Sequence, residues 1–166
     1  MNKAERAVAE KASQVLAESQ ASTSSAPEPF RILSIGCGDG TFDAKIIQAM
    51  IRKYPDVNIH YMGIDIDKGV CDRAKEEVGA LKANCEVEIK MIAMDFKDID
   101  SIKAEIPPAD LVLAVHSFYY MKDLRKALTD AQVLTKADHG KLAISLGEWS
   151  LTGRLHRKYT ISATRV

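Results

Sequence analysis

Three glycines at alternate positions, Gly36, Gly38 and Gly40, directly follow the apolar run at residues 32–35. Glycine has no Cβ, so its backbone adopts positive φ angles and lets a ligand lie against it. The helical pattern that begins after Gly40 would also present unpaired backbone N–H groups to an anionic group of that ligand. The spacing predicts a ligand-binding turn between a strand and a helix, and a tight turn with a purely structural role is the alternative.

The spacing of these glycines argues against a dinucleotide as the ligand. The dinucleotide fingerprint requires glycine at its first, third and sixth positions, and the sixth position counted from Gly36 is Thr41. Asp65 ends the next apolar run, 25 residues after Gly40, where a carboxylate can accept hydrogen bonds from both hydroxyls of a ribose. An acid here without the sixth glycine indicates a nucleoside, and a nicotinamide-dependent oxidoreductase is the weaker alternative.

A third apolar run ends in Asp95 and Phe96. A carboxylate at this place can accept a hydrogen bond from an exocyclic adenine amine, and an aromatic ring can flank the base. Taken singly, Asp65 and Asp95 are equally consistent with a helix N-cap or a solvated loop. Because the glycines and both acids follow consecutive predicted strands, together they predict a site for one adenosine group.

Short apolar runs alternate with helical periodicities from Phe30 onward. The runs predict strands at 31–36, 58–65, 87–96, 109–115 and 141–146, and the periodicities predict helices at 42–51, 70–81, 99–105 and 123–134. This alternation predicts a doubly wound α/β fold, a mostly parallel sheet with helices on both faces. In such sheets the ligand lies at the carboxyl ends of the strands, where all the candidate residues above fall.

Composition gives no sign of a nucleic-acid or membrane partner. The 166 residues are 46% hydrophobic and carry 23 basic and 23 acidic side chains, so the formal net charge is zero. No apolar run approaches the roughly 20 residues of a membrane span, and the N-terminus is charged where a signal peptide is apolar. The three cysteines lack the spacing of a zinc site, and no other cluster predicts a metal. We expect a cytoplasmic protein with reduced thiols, of which Cys37 is a buried, inert one beside the ligand.

The three motifs as a set resemble the class I, Rossmann-like, S-adenosylmethionine-dependent methyltransferases. The stretch at 32–40 is similar to the family's glycine motif, 63–67 to its ribose-binding acidic turn and 94–96 to its adenine-binding motif. The resemblance covers residues 30–150 and implies S-adenosylmethionine as cofactor, S-adenosylhomocysteine as product, and an apolar contact of Ile66 with adenine. The cofactor-binding residues that it implies are Gly36, Cys37, Gly38, Gly40, Asp65, Ile66, Asp95, Phe96 and His116.

The methyl acceptor is expected at the end of the fourth predicted strand, where the family places it. This segment reads His116, Ser117, Phe118, Tyr119 and Tyr120. The histidine can accept a proton from an amine or orient it, and the tyrosines can offer hydroxyls and ring faces to a cationic amine. The predicted catalytic residues are His116, Tyr119 and Tyr120, although a histidine that closes a strand is often structural and one of two adjacent aromatic residues usually faces the core.

The segment HSFYY at 116–120 also bears on the class of acceptor. Nucleic-acid amino-methyltransferases carry an acidic or Asn residue followed by Pro-Pro-aromatic at this strand end, so a small molecule is favoured here. The stretches 119–123 and 147–159 resemble the small-molecule N-methyltransferases related to histamine N-methyltransferase. We therefore expect N-methylation of a small amine such as a histamine-like compound, with a non-catalytic module that binds S-adenosylmethionine or S-adenosylhomocysteine as the alternative.

The predicted organisation is an N-terminal helix at 1–17, a flexible linker at 18–29 and a methyltransferase domain at 30–166. Few residues follow the fifth predicted strand, so we expect the family's usual C-terminal antiparallel strand pair to be missing, as in a truncated form. The edge of the fifth strand would then be uncovered and could support self-association. In this stretch the basic residues 154–159 predict a solvated helix end, and Trp149 a lid or a cap over the sheet.

Overall fold

The computed structural model describes residues 3–21, 28–146 and 159–163, which form a single sheet flanked by helices. The helices are α1 (Lys3–Ala21), α2 (Thr41–Lys53), α3 (Lys68–Gly79) and α4 (Leu124–Val133). The strands are β1 (Phe30–Ile35), β2 (Ile59–Asp65), β3 (Val87–Ala93), β4 (Leu111–Val115), β5 (Lys141–Leu146) and β6 (Tyr159–Ala163). Short 3₁₀ turns follow β3 and β4, at Phe96–Ser101, Lys103–Glu105 and Phe118–Tyr120.

The strand order in the sheet is β3-β2-β1-β4-β5-β6. Strands β1 to β5 are parallel, and β1 pairs with both β2 and β4. The chain order therefore reverses between β1 and β4, and the carboxyl ends of these central strands are where an open α/β sheet binds its ligand. The predicted α/β class with five parallel strands is confirmed.

The sixth strand corrects the expectation for the C-terminal edge. Strand β6 runs antiparallel to β5, with Tyr159 opposite Leu146. One strand of the antiparallel pair that we expected to be missing is therefore present, and the premise of an uncovered β5 edge, on which the predicted self-association rested, is wrong. Tyr159 lies in this strand and not at a helix end, while Trp149 and residues 154–158 lie outside the described residues.

The sheet separates two apolar cores, as a doubly wound fold requires. Ile32 and Leu113 belong to the core on the face covered by α1, α2 and α3. Their neighbours Leu33 and Val112 point to the opposite face and belong to the core covered by α4 and the 3₁₀ turns. The central strands β1 and β4 are buried on both faces and read as nearly continuous apolar runs. The edge strand β3 instead alternates half-buried and exposed residues over most of its length.

Helix α1 packs into the first of these cores. Val8, Ala12 and Val15 are each no more than 1% exposed and lie on one face of the helix. The helix continues to Ala21, which lies within the stretch at 18–29 predicted as a linker. In the described part of the chain, no helix combines the length and the apolar character that a bilayer crossing demands.

Two aspartates fix the starts of the helices that flank the carboxyl edge of the sheet. The Asp67 side chain accepts a hydrogen bond from the Val70 N–H at 3.0 Å and begins α3. The Asp123 side chain accepts one from the Lys126 N–H at 2.9 Å and begins α4. Such N-caps typically stabilise a helix by about 1 kcal/mol, and here they fix the helix positions around the site.

Candidate functional site

A cavity of about 940 Å³ opens at the carboxyl ends of the central strands, where the strand order reverses. Its size is that of a small-molecule or cofactor site. It brings together most of the residues predicted from the sequence, namely Gly36, Cys37, Gly38, Asp65, Ile66, Asp95, Phe96, His116 and Tyr120. Gly40 and Tyr119 lie outside its lining.

The three glycines all have positive φ but serve different purposes. A Cβ on Gly36 would lie 2.4 Å from Cβ of Ser117, and one on Gly40 would lie 2.8 Å from Cα of Ala74. A Cβ on Gly38 would meet no atom within 4 Å. Gly38 therefore keeps its backbone open to a ligand, whereas the predicted ligand contact of Gly40 is replaced by close packing of the turn against α3.

Asp65, at the end of β2, holds the glycine turn in place. Its Oδ2 accepts a hydrogen bond from the Gly38 N–H at 3.0 Å, and its Oδ1 accepts one from the Asp67 N–H at 3.1 Å. Each carboxylate oxygen can accept two hydrogen bonds, so both retain a position for a ligand hydroxyl. The next side chain, Ile66, is 71% exposed and lines the cavity, so it offers an apolar surface that a bound ring would cover.

Asp95 and Phe96 form the cavity wall at the end of β3. The Asp95 carboxylate accepts hydrogen bonds from the Lys97 N–H at 3.1 Å and from Lys97 Nζ at 2.8 Å. The hydrogen bond from the Lys97 side chain lowers the pKa of Asp95, which keeps this group an ionised acceptor. Phe96 is buried, with its ring centroid 6.5 Å from that of Phe118, and completes an apolar wall.

His116 directly follows β4 and has a φ angle of 54°, in the left-handed region. This conformation costs a non-glycine residue on the order of 1 kcal/mol and is typical of functional sites. The His116 N–H donates to the Ser145 carbonyl at 2.8 Å, which holds the backbone in this conformation. The exposed imidazole lines the cavity, where it can exchange a proton with a bound molecule.

The two tyrosines that follow do not share one position. Tyr120 lines the cavity and is 78% exposed, whereas Tyr119 packs beside it, with ring centroids 4.3 Å apart. The Tyr119 ring also lies 6.4 Å from that of His116. Desolvation raises the pKa of Tyr119 to about 12, so its hydroxyl stays neutral. Tyr119, predicted as catalytic, therefore supports the rings of its neighbours from outside the cavity.

Ser117 lines the cavity although it is not among the site residues predicted from the sequence. Its side chain is 7% exposed, and Oγ has no hydrogen-bond partner among the described residues. A buried, unsatisfied hydroxyl costs about 1–3 kcal/mol, which a bound molecule that pairs with it would offset. Its place directly after His116 was the available signal in the sequence.

Asp43, in the first turn of α2, is a second lining residue that the sequence-based prediction omits. It is 2% exposed, and the Tyr61 hydroxyl donates to its Oδ2 at 2.6 Å. Burial raises the pKa of Asp43 to about 6, although hydrogen bonds from Ser34 and Tyr61 act in the opposite direction. The available signal was its helical spacing, because Asp43 shares the buried face of α2 with Ile46 and Ile47.

Lys126 and Asp130 line the cavity on the α4 side and belong to an ion-pair network. Lys126 Nζ lies 2.5 Å from the Asp130 carboxylate and 2.8 Å from that of Asp100. Lys103 pairs with the same two aspartates. The two positive and two negative groups of the network pair with one another, so Lys126 and Asp130 give this side of the cavity a polar surface.

The cysteines are free thiols, as expected. Burial raises the pKa of the Cys37 thiol, so it stays protonated and unreactive beside the cavity. Among the described residues, no group of three or more His, Cys, Asp and Glu side chains is placed to hold a metal ion.

A protein-family model described as "Methyltransferase domain" matches residues 33–141. The match spans well over half of the chain and includes the glycine turn and the ends of β2, β3 and β4. The chain belongs to this family of methyltransferase domains. The predicted resemblance to Rossmann-like methyltransferases is thereby confirmed, and the comparison of this methyltransferase domain with curated proteins gave no significant match.

Solved structures share the fold of this methyltransferase domain. DszA carbon methyltransferase superposes with a TM-score of 0.71 at 20% identity, covering 89% of this chain and 36% of the other. The plantazolicin methyltransferase BpumL, in complex with a triazolic desmethylPZN analog and SAH, superposes with a TM-score of 0.56 at 17% identity. The match covers 89% of this chain and 48% of BpumL. An S-adenosylhomocysteine complex of an SAM-dependent methyltransferase from Thiobacillus denitrificans superposes with a TM-score of 0.52 at 16% identity. The match covers 88% of this chain and 51% of the other. The chain thus spans about a third to a half of these proteins.

Proposed function

We propose that this methyltransferase domain binds S-adenosylmethionine in the cavity and transfers its methyl group to the nitrogen of a small amine. The observation that carries the proposal is the convergence of Gly38, Asp65 and Asp95 from the ends of three neighbouring strands on one cavity. Membership of the methyltransferase family supports the cofactor, as do the solved relatives that contain S-adenosylhomocysteine.

The lining of the cavity fits an adenosyl group joined to an amino acid. Asp65 has free acceptor positions for two ribose hydroxyls, and Asp95 is an ionised acceptor for the exocyclic amine of adenine. Ile66 and Phe96 provide apolar surface for the base, and the open space at Gly38 leaves room for the amino-acid portion of the cofactor. S-Adenosylmethionine supplies a methyl group that is already activated by its sulfonium, so the protein has mainly to position the acceptor and remove a proton.

His116 and Tyr120 are the residues that we assign to the acceptor. The exposed imidazole of His116 can take the proton that an amine loses when it is methylated, a role that contributes about 10²–10⁴ in rate. The Tyr120 ring offers its face to the amine while it is still cationic. A histamine-like acceptor stays a prediction that depends on the sequence of segments 119–123 and 147–159.

Incubation with S-adenosylmethionine and a panel of small primary and secondary amines, one of them an imidazolyl ethylamine, tests this function. We expect S-adenosylhomocysteine and an N-methylated product, detected by mass spectrometry. His116→Asn keeps a residue that tolerates the left-handed backbone but removes the base, and we expect it to lower the rate by about 10²–10⁴. His60→Asn is the matched control, because His60 pairs with Glu88 on β2 and β3, outside this cavity.

Three outcomes would contradict parts of the proposal. Methylation of carbon or oxygen in compounds of the panel would exclude nitrogen as the acceptor atom. Binding of S-adenosylhomocysteine without a product from any amine would indicate a non-catalytic binding module. Binding of NADH in place of S-adenosylhomocysteine would indicate a nicotinamide-dependent enzyme.

A further inference from the structure

Asp43 is a buried carboxylate whose hydrogen-bond donors are neutral. The Tyr61 hydroxyl donates to it at 2.6 Å, and the Ser34 hydroxyl donates as well. The nearby charged group that affects its pKa is Asp39, which is also an acid. A carboxylate removed from water is costly to ionise unless a cation pairs with it. Among the residues that the structure describes, Asp43 therefore lacks the positive partner that a buried carboxylate requires.

Asp43 differs in this respect from Asp95 and Asp130, two other acids that line the cavity. The Asp95 carboxylate pairs with Lys97 at 2.8 Å, and that of Asp130 pairs with Lys126 at 2.5 Å. Asp65 is bonded to two backbone N–H groups. A bound molecule that carries a positive group would gain most from contact with Asp43, which also lines the cavity.

We propose that Asp43 binds a primary ammonium group, the α-amino group of the methionine portion of the cofactor. The inference rests on the proposed function, because it adds one contact within the same cavity. An ammonium is compact and has three donors, so it can bond to the carboxylate and still reach a second acceptor. Asp43 thereby binds the end of the molecule opposite to the adenine that Asp95 is proposed to bind.

The groups that face Asp43 indicate how this contact depends on pH. Tyr61 faces it from β2, and Cys37 from the glycine turn, and burial raises the pKa of both groups, so they stay neutral. A backbone hydrogen bond from Thr41 lowers the pKa of Asp39, which stays ionised. Asp43 itself, with its pKa raised to about 6, is the group that titrates in the accessible range. An ammonium-bearing molecule should therefore bind more tightly as the pH rises through this value.

The test compares two probes by isothermal titration calorimetry on the native chain. One probe is S-adenosylhomocysteine, and the other is its analogue with hydrogen in place of the α-amino group. We expect S-adenosylhomocysteine to bind at least about tenfold more tightly above pH 7, and this ratio to shrink as the pH falls below 6. This comparison requires no substitution, so it does not depend on whether a variant folds.

Asp43→Asn gives the complementary measurement. We expect the variant to bind both probes with affinities within about twofold of each other, at all pH values. Asp39→Asn removes a nearby carboxylate that does not line the cavity and should keep the native ratio.

Equal affinity of the two probes for the native chain, or an unchanged ratio in Asp43→Asn, would overturn the inference while the cofactor site stands. If the native chain binds neither probe, the proposed function fails, and the inference fails with it.

Discussion

Asp43 and Asp110 lie at opposite ends of the sheet and are almost equally buried, at 2% and 1% exposure. Asp110, at the amino end of β4, accepts a hydrogen bond from the Arg31 N–H at 2.8 Å. It also pairs with Lys136 Nζ at 2.8 Å and with His139 Nε2 at 2.9 Å. Asp43, beside the cavity at the carboxyl end, has hydroxyl partners alone among the donors identified.

Burial of a charge therefore does not by itself distinguish a structural group from a functional one. The partners of Asp110 come from the chain itself, so its charge stabilises the fold. No cation in the described part of the chain pairs with Asp43, which faces a cavity, so we expect a bound molecule to compensate its charge. The buried charge at the amino end of the sheet is compensated without a ligand, whereas we expect the one at the carboxyl end to need a ligand.

The largest expected effect belongs to the structural aspartate. Asp110→Ala would leave the charge of Lys136 and the Arg31 N–H without their buried partner, and we expect a loss of about 3–5 kcal/mol in the free energy of unfolding. Urea unfolding measures this loss. Asp138→Ala removes the exposed partner on the other side of His139 and should change stability by less than about 1 kcal/mol. Equal losses of unfolding free energy in the two variants would contradict a structural role for the buried charge of Asp110.

The stability of the native chain should depend on pH through Asp43. Its folded-state pKa of about 6 lies above the ordinary value of 3.8, so the folded chain holds this proton more tightly than the unfolded chain does. Its stabilising contribution is therefore complete below about pH 4 and is lost as the pH rises through 6. The shift corresponds to roughly 3 kcal/mol.

Urea unfolding without ligand, at several pH values, measures this contribution. Between about pH 4 and pH 7, the native chain should lose roughly 3 kcal/mol of stability relative to Asp43→Asn. Parallel pH profiles for the two proteins would show that Asp43 does not carry an uncompensated charge.

Gly38 and Gly40 lie in the same turn but should respond differently to substitution by alanine. Gly40→Ala adds a Cβ that meets the backbone of Ala74 at 2.8 Å, in a left-handed conformation, and should destabilise the fold by about 2–3 kcal/mol. Gly38→Ala meets no atom and should cost about 1 kcal/mol through its φ angle alone. Titration with S-adenosylhomocysteine should show the reverse order, with the larger loss of affinity in Gly38→Ala. An equal loss of affinity in both variants would contradict the distinction.

The smallest effect is expected at His116. His116→Gly relieves the left-handed strain and should raise the unfolding free energy by about 0.5–1 kcal/mol, while the rate of methyl transfer should fall by about 10²–10⁴. Thermal unfolding measures this gain. His60→Gly, in the interior of β2, is the control and should instead lower stability. A loss of stability in both variants would mean that His116 is held by contacts that matter more than its strain.

The central strands could be predicted from the sequence because burial on both faces makes them apolar runs, as in Leu111–Val115. The edge strand β3 could be predicted from its alternation of apolar and polar residues. Strand β6 was not predicted, because Tyr159–Ala163 is short, alternates polar and apolar residues, and is defined by its pairing with β5. Helix α1 was underestimated at its C-terminal end for a related reason, since Ser, Gln and Ala are also typical of a linker.

Residue types alone predicted the candidate site at the ends of three strands. They did not predict that the three glycines have different roles, two in close packing and one at an open surface of the cavity. Gly36 and Gly40 make room for Ser117 and Ala74, which are far away in the sequence. Asp43 was overlooked because an acid in the first turn of a helix is ordinary. Its burial against Tyr61 becomes visible when β2 is placed beside β1.

We propose above that the cavity at the carboxyl end of the sheet binds an adenosyl amino acid, and substitution of Asp65 tests this claim. Titration calorimetry with S-adenosylhomocysteine compares the native chain with Asp65→Ala, and with Asp72→Ala, which removes an exposed acid of α3 that pairs with Lys68. We predict binding by the native chain, a loss of about 10- to 100-fold in Asp65→Ala, and little change in Asp72→Ala. Absence of binding by the folded native chain, or equal affinities of all three proteins, would contradict the claim.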